Sequence, residues 1–200
     1  MTGKEKILDF AGRKRTFRAS EVERELGLPR TYLARLVGDG LLEKVGYGLY
    51  SFAGGDFTEA QSWVEVAAKA PKGVLCLLSA LVFHELTTQI PFEVWLAVPR
   101  DAHRPKIEFV QSRVFRFAPQ VYGAGIETHA ISGVEVKVYS AAKTVADCFY
   151  YRNTVGLDVA IEALRDAFYR RKATIDEMHR FSEIRNVKSA MYPHLYALSV

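Results

Sequence analysis

Lys143 and Asp147 stand four residues apart in a stretch with helical periodicity, Arg152 follows, and Asp158 lies beyond it. A lysine, an aspartate and an arginine in that spacing make a candidate polar site for a nucleotide or RNA. They equally make an i,i+4 ion pair with a cation near the helix end, worth about a few tenths of a kcal/mol when exposed. The spacing favours the ion pair. His84-Glu85-Leu86-Thr87-Thr88 begins like the zinc-binding HExxH motif, but Thr88 stands where the second imidazole is required, so no metal site is expected. Tyr122-Gly123-Ala124-Gly125 is a GxG without a following Lys-Ser/Thr, and reads as a turn or bulge rather than a phosphate cradle. Arg165, Arg170, Arg171 and Lys172 form a basic patch that suits a solvated face better than an acidic partner. The histidines are scattered, and no Ser-His-Asp, Cys-His or carboxylate pair stands out from spacing. The expectation is a protein without cofactor or metal, and not an enzyme. A nucleotide- or RNA-handling enzyme with an attached DNA-binding module is the rival, and a pure protein-interaction module a third reading.

A second set of polar residues lies in Phe17–Phe52, FRASEVERELGLPRTYLARLVGDGLLEKVGYGLYSF. Ser20 suits an N-cap and Glu23, three residues on, completes a capping box. Val22 and Leu26 share a helical face, and Gly27 is placed to leave that helix in a left-handed conformation. Pro29 suits the first turn of a second helix, from about Pro29 to Val37. At 100° per residue, Leu33, Leu36 and Val37 form its apolar side. Thr31, Ala34 and Arg35 point away, with Arg30 and Tyr32 on the flanks. An anchored apolar back and a front of arginine, threonine and small side chains is what a major-groove recognition helix requires. Leu41–Val45 and Leu49–Phe52 read as strands around Gly46-Tyr47-Gly48, a wing that brings Lys44 and Tyr47 to the sugar-phosphate backbone or minor groove. Arg18 and Ser20 are candidate backbone contacts, and Arg13-Lys14-Arg15 with Arg18 is a basic loop that suits phosphates or solvent equally.

The elements that position these residues follow from periodicity. Lys4–Ala11 reads as a first helix with Ile7, Leu8 and Ala11 inward. Ala53-Gly54-Gly55-Asp56 is the expected boundary, giving a DNA-binding domain over 1–55 and a second domain over 56–200. Thr58–Ala70 reads as a helix with Trp63, Val66 and Ala67 inward, and Val74–Leu86 as a buried helix. Pro91–Pro99 is a strand whose continuous apolar run predicts cover on both faces. Lys106–Val110 and Val114–Phe117 are strands that pair with it. Gly125–Ile131 and Val134–Tyr139 form a hairpin around Ser132-Gly133. Three helices close the chain: Ala141–Arg152 capped by Ser140, Leu157–Arg171 with Leu157, Ile161, Leu164 and Phe168 inward, and one from Thr174 to about Val187. The tail Met191–Val200 is helical or loose. The fold class is α+β, a winged helix-turn-helix followed by a mixed sheet-and-helix domain.

Composition bounds the rest. Hydrophobic residues make up 49% of the 200, enough for a packed core and against wholesale disorder. The formal charge of +4 and the pI of about 9.0 permit an acidic partner, nucleic acid first. Cys76 and Cys148 sit in apolar helical patterns without a CxxC, as suits a reducing cytosol. No signal-peptide core is present and the longest apolar run, Gly73–Phe83, is well short of the roughly 20 residues of a membrane span. A cytoplasmic protein without membrane contact is expected.

Arg35-Leu36-Val37, Gly40-Leu41-Leu42, Val45 and Gly48-Leu49-Tyr50 together resemble the N-terminal domain of the AbiEi-type antitoxin and transcriptional-regulator family. Gly73–Leu81, Glu93–Pro99, Val138–Asp147 and Arg152-Asn153 with Val155–Asp158 are similar to that family's C-terminal domain. The resemblance implies a repressor of its own operon, the antitoxin of a type IV toxin-antitoxin system, paired with a nucleotidyltransferase-like toxin encoded beside it. It also implies that the second domain carries the antitoxin function. The partner expected for the first domain is double-stranded operator DNA with paired half-sites about one helical turn apart.

Overall fold

Helices and two sheets alternate along the chain in the computed structural model, an α+β arrangement. The structure describes residues 2–14, 16–46, 48–53, 59–107 and 110–199, with Ser199 described by its backbone alone. Two units emerge. One comprises Met1–Pro71 with Pro105–Val110 and Ala130–Val136; the other comprises Lys72–Arg104, Gln111–His129 and Lys137–Val200. Gly54, Gly55 and Asp56 of the expected boundary lie outside the described residues.

The first unit is built on α1 (Gly3–Lys14), β1 (Thr16–Arg18), α2 (Ala19–Glu21) continued by one π-helical turn over Val22–Leu26, α3 (Thr31–Gly38), β2 (Leu42–Gly46), β3 (Leu49–Phe52) and α4 (Glu59–Lys69). Its sheet has the order β1-β3-β2, with Phe17 opposite Tyr50 and Glu43 opposite Ser51. Ile7, Phe10, Ala11, Phe17, Val22, Leu33, Leu36 and Leu42 form one core. Phe10 meets Phe17 edge-on at 5.5 Å, and α1 runs past Ala11 to Lys14.

Three local expectations change. Ser20 does not cap. Thr16–Arg18 is taken into the sheet, so the helix starts at Ala19, whose N–H donates to the Gly48 carbonyl at 2.8 Å. Glu21 then reaches back to the Arg18 N–H at 2.6 Å, half of a capping box two residues earlier in register. The second helix starts at Thr31, because the Pro29 and Arg30 carbonyls instead close a tight turn with the Tyr32 and Leu33 N–H groups. On α4 the buried residues are Val64, Glu65 and Val66, not Trp63 and Ala67.

The second unit carries β4 (Val74–Leu75), α5 (Leu77–Phe83), β5 (Val94–Pro99), β6 (Ser112–Phe117), α6 (Pro119–Gly123), β7 (Ile126–Ile131), β8 (Val134–Tyr139), α7 (Ala141–Tyr150), α8 (Arg152–Val155), α9 (Leu157–Tyr169), α10 (Ile175–Ile184) and α11 (Lys188–Ser199). The tips of β7 and β8 count with the first unit. The sheet order is β6-β5-β4-β8-β7, with β5 antiparallel to β4 and parallel to β6. Val94 through Val98 are all buried, as the continuous apolar run requires. Val74–Leu86 is not one helix. Its first two residues pair with Ala97, Leu96 and Val138, and the chain turns at Leu77 (φ 48°) before α5. Lys106 and Ile107 are in no strand, and residues 108 and 109 lie outside the described residues. The expected hairpin is present, turning through Ser132 and Gly133, both at positive φ. Ser140 caps α7 as expected, accepting from the Lys143 N–H, and Thr174 with Glu177 forms a full capping box on α10. Five helices rather than three close the described chain: the first ends at Tyr150, a separate turn α8 follows Tyr151, and the tail is helical.

Candidate nucleic-acid interface

Gly27, at φ 66°, ends the helix before α3 by donating to the Glu23 carbonyl at 3.1 Å. Leu33 and Leu36 sink into the core and Val37 is half-buried, which turns the opposite face of α3 outward. Thr31, Ala34 and Arg35 are exposed there, and Tyr32 is 39% exposed beside them. At the far end Leu41 donates to the Leu36 carbonyl, and Gly40 at φ 69° leads into β2.

The charges around this face are unevenly engaged. Arg30 is tied to Glu23 at 2.9 Å, on the flank of the helix. Arg13 pairs with Asp9 at 2.7 Å. Lys14 bridges Glu21 at 2.8 Å and Glu25 at 2.9 Å; those hydrogen bonds hold its pKa above the ordinary lysine value, and the same contact pulls Glu25 down. The expected basic loop is therefore partly neutralised by its own protein; Arg15 lies outside the described residues. Arg18 is half-buried, with a buried Nε that has no hydrogen-bond partner. Ser20 is exposed. Arg35 is exposed and forms no ion pair among the described residues. In the wing, Lys44 is exposed opposite Tyr50, next to a register shift between Lys44 and Gly46. Tyr47 lies outside the described residues.

One residue of this unit escaped the sequence. Glu65 is fully buried, and neither carboxylate oxygen has a hydrogen-bond partner. Burial pushes its pKa up to about 7, with Lys69 pulling weakly the other way. A Cβ added at Gly46 would stand 3.3 Å from its Cγ, so the root of the wing rests on this acid. A glutamate in an alternating Val-Glu-Val stretch gives no sequence signal of that burial.

In the second unit Lys143 and Asp147 do pair, Nζ to Oδ2 at 2.5 Å, but with no exposed side-chain surface on either. This is not the solvated pair that the spacing suggests. Arg152 stays outside, exposed and donating to the Phe149 carbonyl. Arg185 takes its place: its Nε stands 2.6 Å from Asp147 Oδ1, and its guanidinium lies 3.9 Å over the Tyr150 ring. Lys143 Nζ lies 4.2 Å over the Tyr139 ring. Burial pulls Lys143 below the ordinary lysine value, and pushes Asp147 up against the two cations. Arg185 caps the C-terminal end of α10, far along the chain, and only its place one turn below Phe181 hints at it.

The remaining motifs are structural. His84 Nε2 bonds the Tyr139 carbonyl at 2.7 Å, and burial lowers its pKa. Glu85 pairs with Arg170 at 2.8 Å and Lys172 at 3.3 Å, which absorbs half of the basic patch; Arg165 and Arg171 are exposed. Gly125, at φ 73°, passes so close to Phe181 that a Cβ would stand 2.8 Å from it, so the GxG is a close-packed bend. Among the described residues no group of three or more His, Cys, Asp or Glu could hold a metal, and no helix is long and apolar enough to cross a membrane.

Residues 5–53 match the model of a family described as "Transcriptional regulator, AbiEi antitoxin", the family that the sequence resembles over this stretch. Among solved structures, the chain resembles the crystal structure of the RV2827C protein from Mycobacterium tuberculosis. The TM-score is 0.60 at 12% identity, over 100% of this chain and 77% of that one, a likeness of fold. No curated protein matches the chain.

Proposed function

We propose that this chain, which carries the AbiEi-type regulator module at residues 5–53, is a DNA-binding transcriptional repressor. The observation that carries the reading is α3: its apolar side is clamped by Leu33 and Leu36, and Arg35 and Thr31 are held outward without a counter-charge on Arg35. Arg35 reads a base edge, because its planar fork can bond a guanine at two atoms. Thr31, Tyr32 and Arg30 position the helix on phosphates or base edges, Arg30 after releasing Glu23. Lys44 and Tyr47 serve as wing contacts, and Arg18 and Ser20 as backbone contacts. The resemblance supports the rest: autoregulation of an operon as the antitoxin of a type IV system, with a nucleotidyltransferase-like toxin as functional partner and the second domain, from about residue 56, suppressing it. In this reading the chain is cytoplasmic and not an enzyme, and the sealed Lys143–Asp147–Arg185 cluster holds the fold rather than a substrate.

The test is titration of the DNA upstream of the chain's own reading frame, and of a scrambled duplex, at several salt concentrations. The repressor binds its own upstream DNA more tightly by about 10³-fold or more at physiological salt, and loses affinity steeply as salt rises. Equal affinity for both duplexes, or none, contradicts it.

A further inference from the structure

We propose that the turn Arg100–Arg104, after β5, is a second phosphate-contacting element for double-stranded DNA; the proposal rests on the DNA-binding reading above. The turn is built rather than loose. Arg116 Nη1 donates to the Arg100 carbonyl at 2.7 Å and to the Ala102 carbonyl at 2.8 Å. The Arg100 N–H donates to Phe117 at 2.9 Å and the Ala102 N–H to Pro99 at 3.0 Å. Pro99 and Phe117 face each other at the ends of parallel strands β5 and β6, so the brace is anchored in the sheet.

Arg100, His103 and Arg104 are exposed on this turn, and Arg116 is exposed on β6 beside it. Arg113 pairs with Glu93, Arg170 and Lys172 with Glu85, and Lys188 with Glu183, whereas Arg165 and Arg171 are exposed without an ion pair among the described residues and serve as the comparison. Arg100 and Arg104 form no ion pair among the described residues. Arg100, Arg104 and Arg116 stand against one acid, Asp101, a local charge of +2. An arginine fork matches a phosphate in two bonds, and a turn already fixed by four hydrogen bonds loses little freedom on binding. The neighbours decide the class of partner. Ala102 and Pro105 are the uncharged residues beside the arginines. No Phe, Tyr or Trp stands in the turn for stacking unpaired bases, His103 being its one small ring, and no large apolar side chain for anchoring a protein. Duplex phosphates need neither.

The experiment measures affinity against salt for the full chain on its upstream duplex and on the scrambled one. Four proteins are compared: wild type, Arg100→Ala/Arg104→Ala, Arg100→Lys/Arg104→Lys, and Arg165→Ala/Arg171→Ala as a control of equal charge. Thermal melts confirm that all four fold. Each lost phosphate contact removes about 0.9 from the slope of log K against log salt. The alanine pair therefore loses about 1.8 in slope and weakens both duplexes by the same factor, so sequence preference is unchanged. The lysine pair recovers most of the affinity, and the control pair keeps the wild-type slope. If wild type binds with preference and the alanine pair binds identically, the turn is not a contact, and the DNA-binding reading stands without it. If the control pair loses as much slope as the alanine pair, only general charge is at work and the proposal fails. If wild type binds neither duplex, both readings fall.

Discussion

Asp147 lies between Lys143 and Arg185 with no solvent access, so its charge is what allows two cations to be buried. Asp147→Ala leaves both uncompensated, and denaturant unfolding should show a loss of about 3–5 kcal/mol. Glu65 is the opposite case, a buried acid without a partner. Its folded pKa of about 7 lies above the ordinary glutamate value of 4.5, so the folded chain holds the proton more tightly than the unfolded chain. The stability that the proton confers is full below about pH 4.5, declines as pH rises through that window, and is gone above about 7. Glu65→Gln keeps the shape without the charge. Melts should show it close to wild type at acid pH and more stable above neutrality; a constant difference at every pH would contradict the assignment.

α3 was readable because one feature determines it: an apolar stripe at helical spacing with a glycine before it and two after it. Leu33 and Leu36 lie where the wheel places them. Leu36→Ala should cost about 2–5 kcal/mol in chemical unfolding, since it opens a cavity under the exposed face. Two short elements fixed by distant pairing were not readable. Thr16–Arg18 is three residues long and becomes a strand only because Ser51, Tyr50 and Leu49 lie opposite. Val74–Leu75 begins an apolar run that a buried strand and a buried helix share. On α9 Leu164 is buried as expected and Ile161 and Phe168 pack partly buried against the core, but Leu157 is 44% exposed and Ala160, Ala163 and Ala167 join the buried face. Alanines permit close approach, and size-weighted periodicity points away from them. In the candidate site, the exposed face of α3 was foreseen; the Arg30–Glu23 tie depends on how the turn between the two helices folds, and the orphan Glu65 and the entry of Arg185 depend on contacts that no local window contains.

At the scale of the whole molecule, the proposal is a reader and a second unit on one chain, with specificity concentrated on a few α3 side chains and affinity spread over exposed cations. Such a division separates the two quantities experimentally. The most direct measurement is the ratio of affinities for the upstream and scrambled duplexes, compared between wild type and Arg35→Ala at one salt concentration. A base-reading Arg35 predicts that the ratio falls by about 10-fold or more, from a lost contact of about 1–3 kcal/mol, while scrambled binding changes little. An unchanged ratio, with both duplexes weakened alike or not at all, would contradict it.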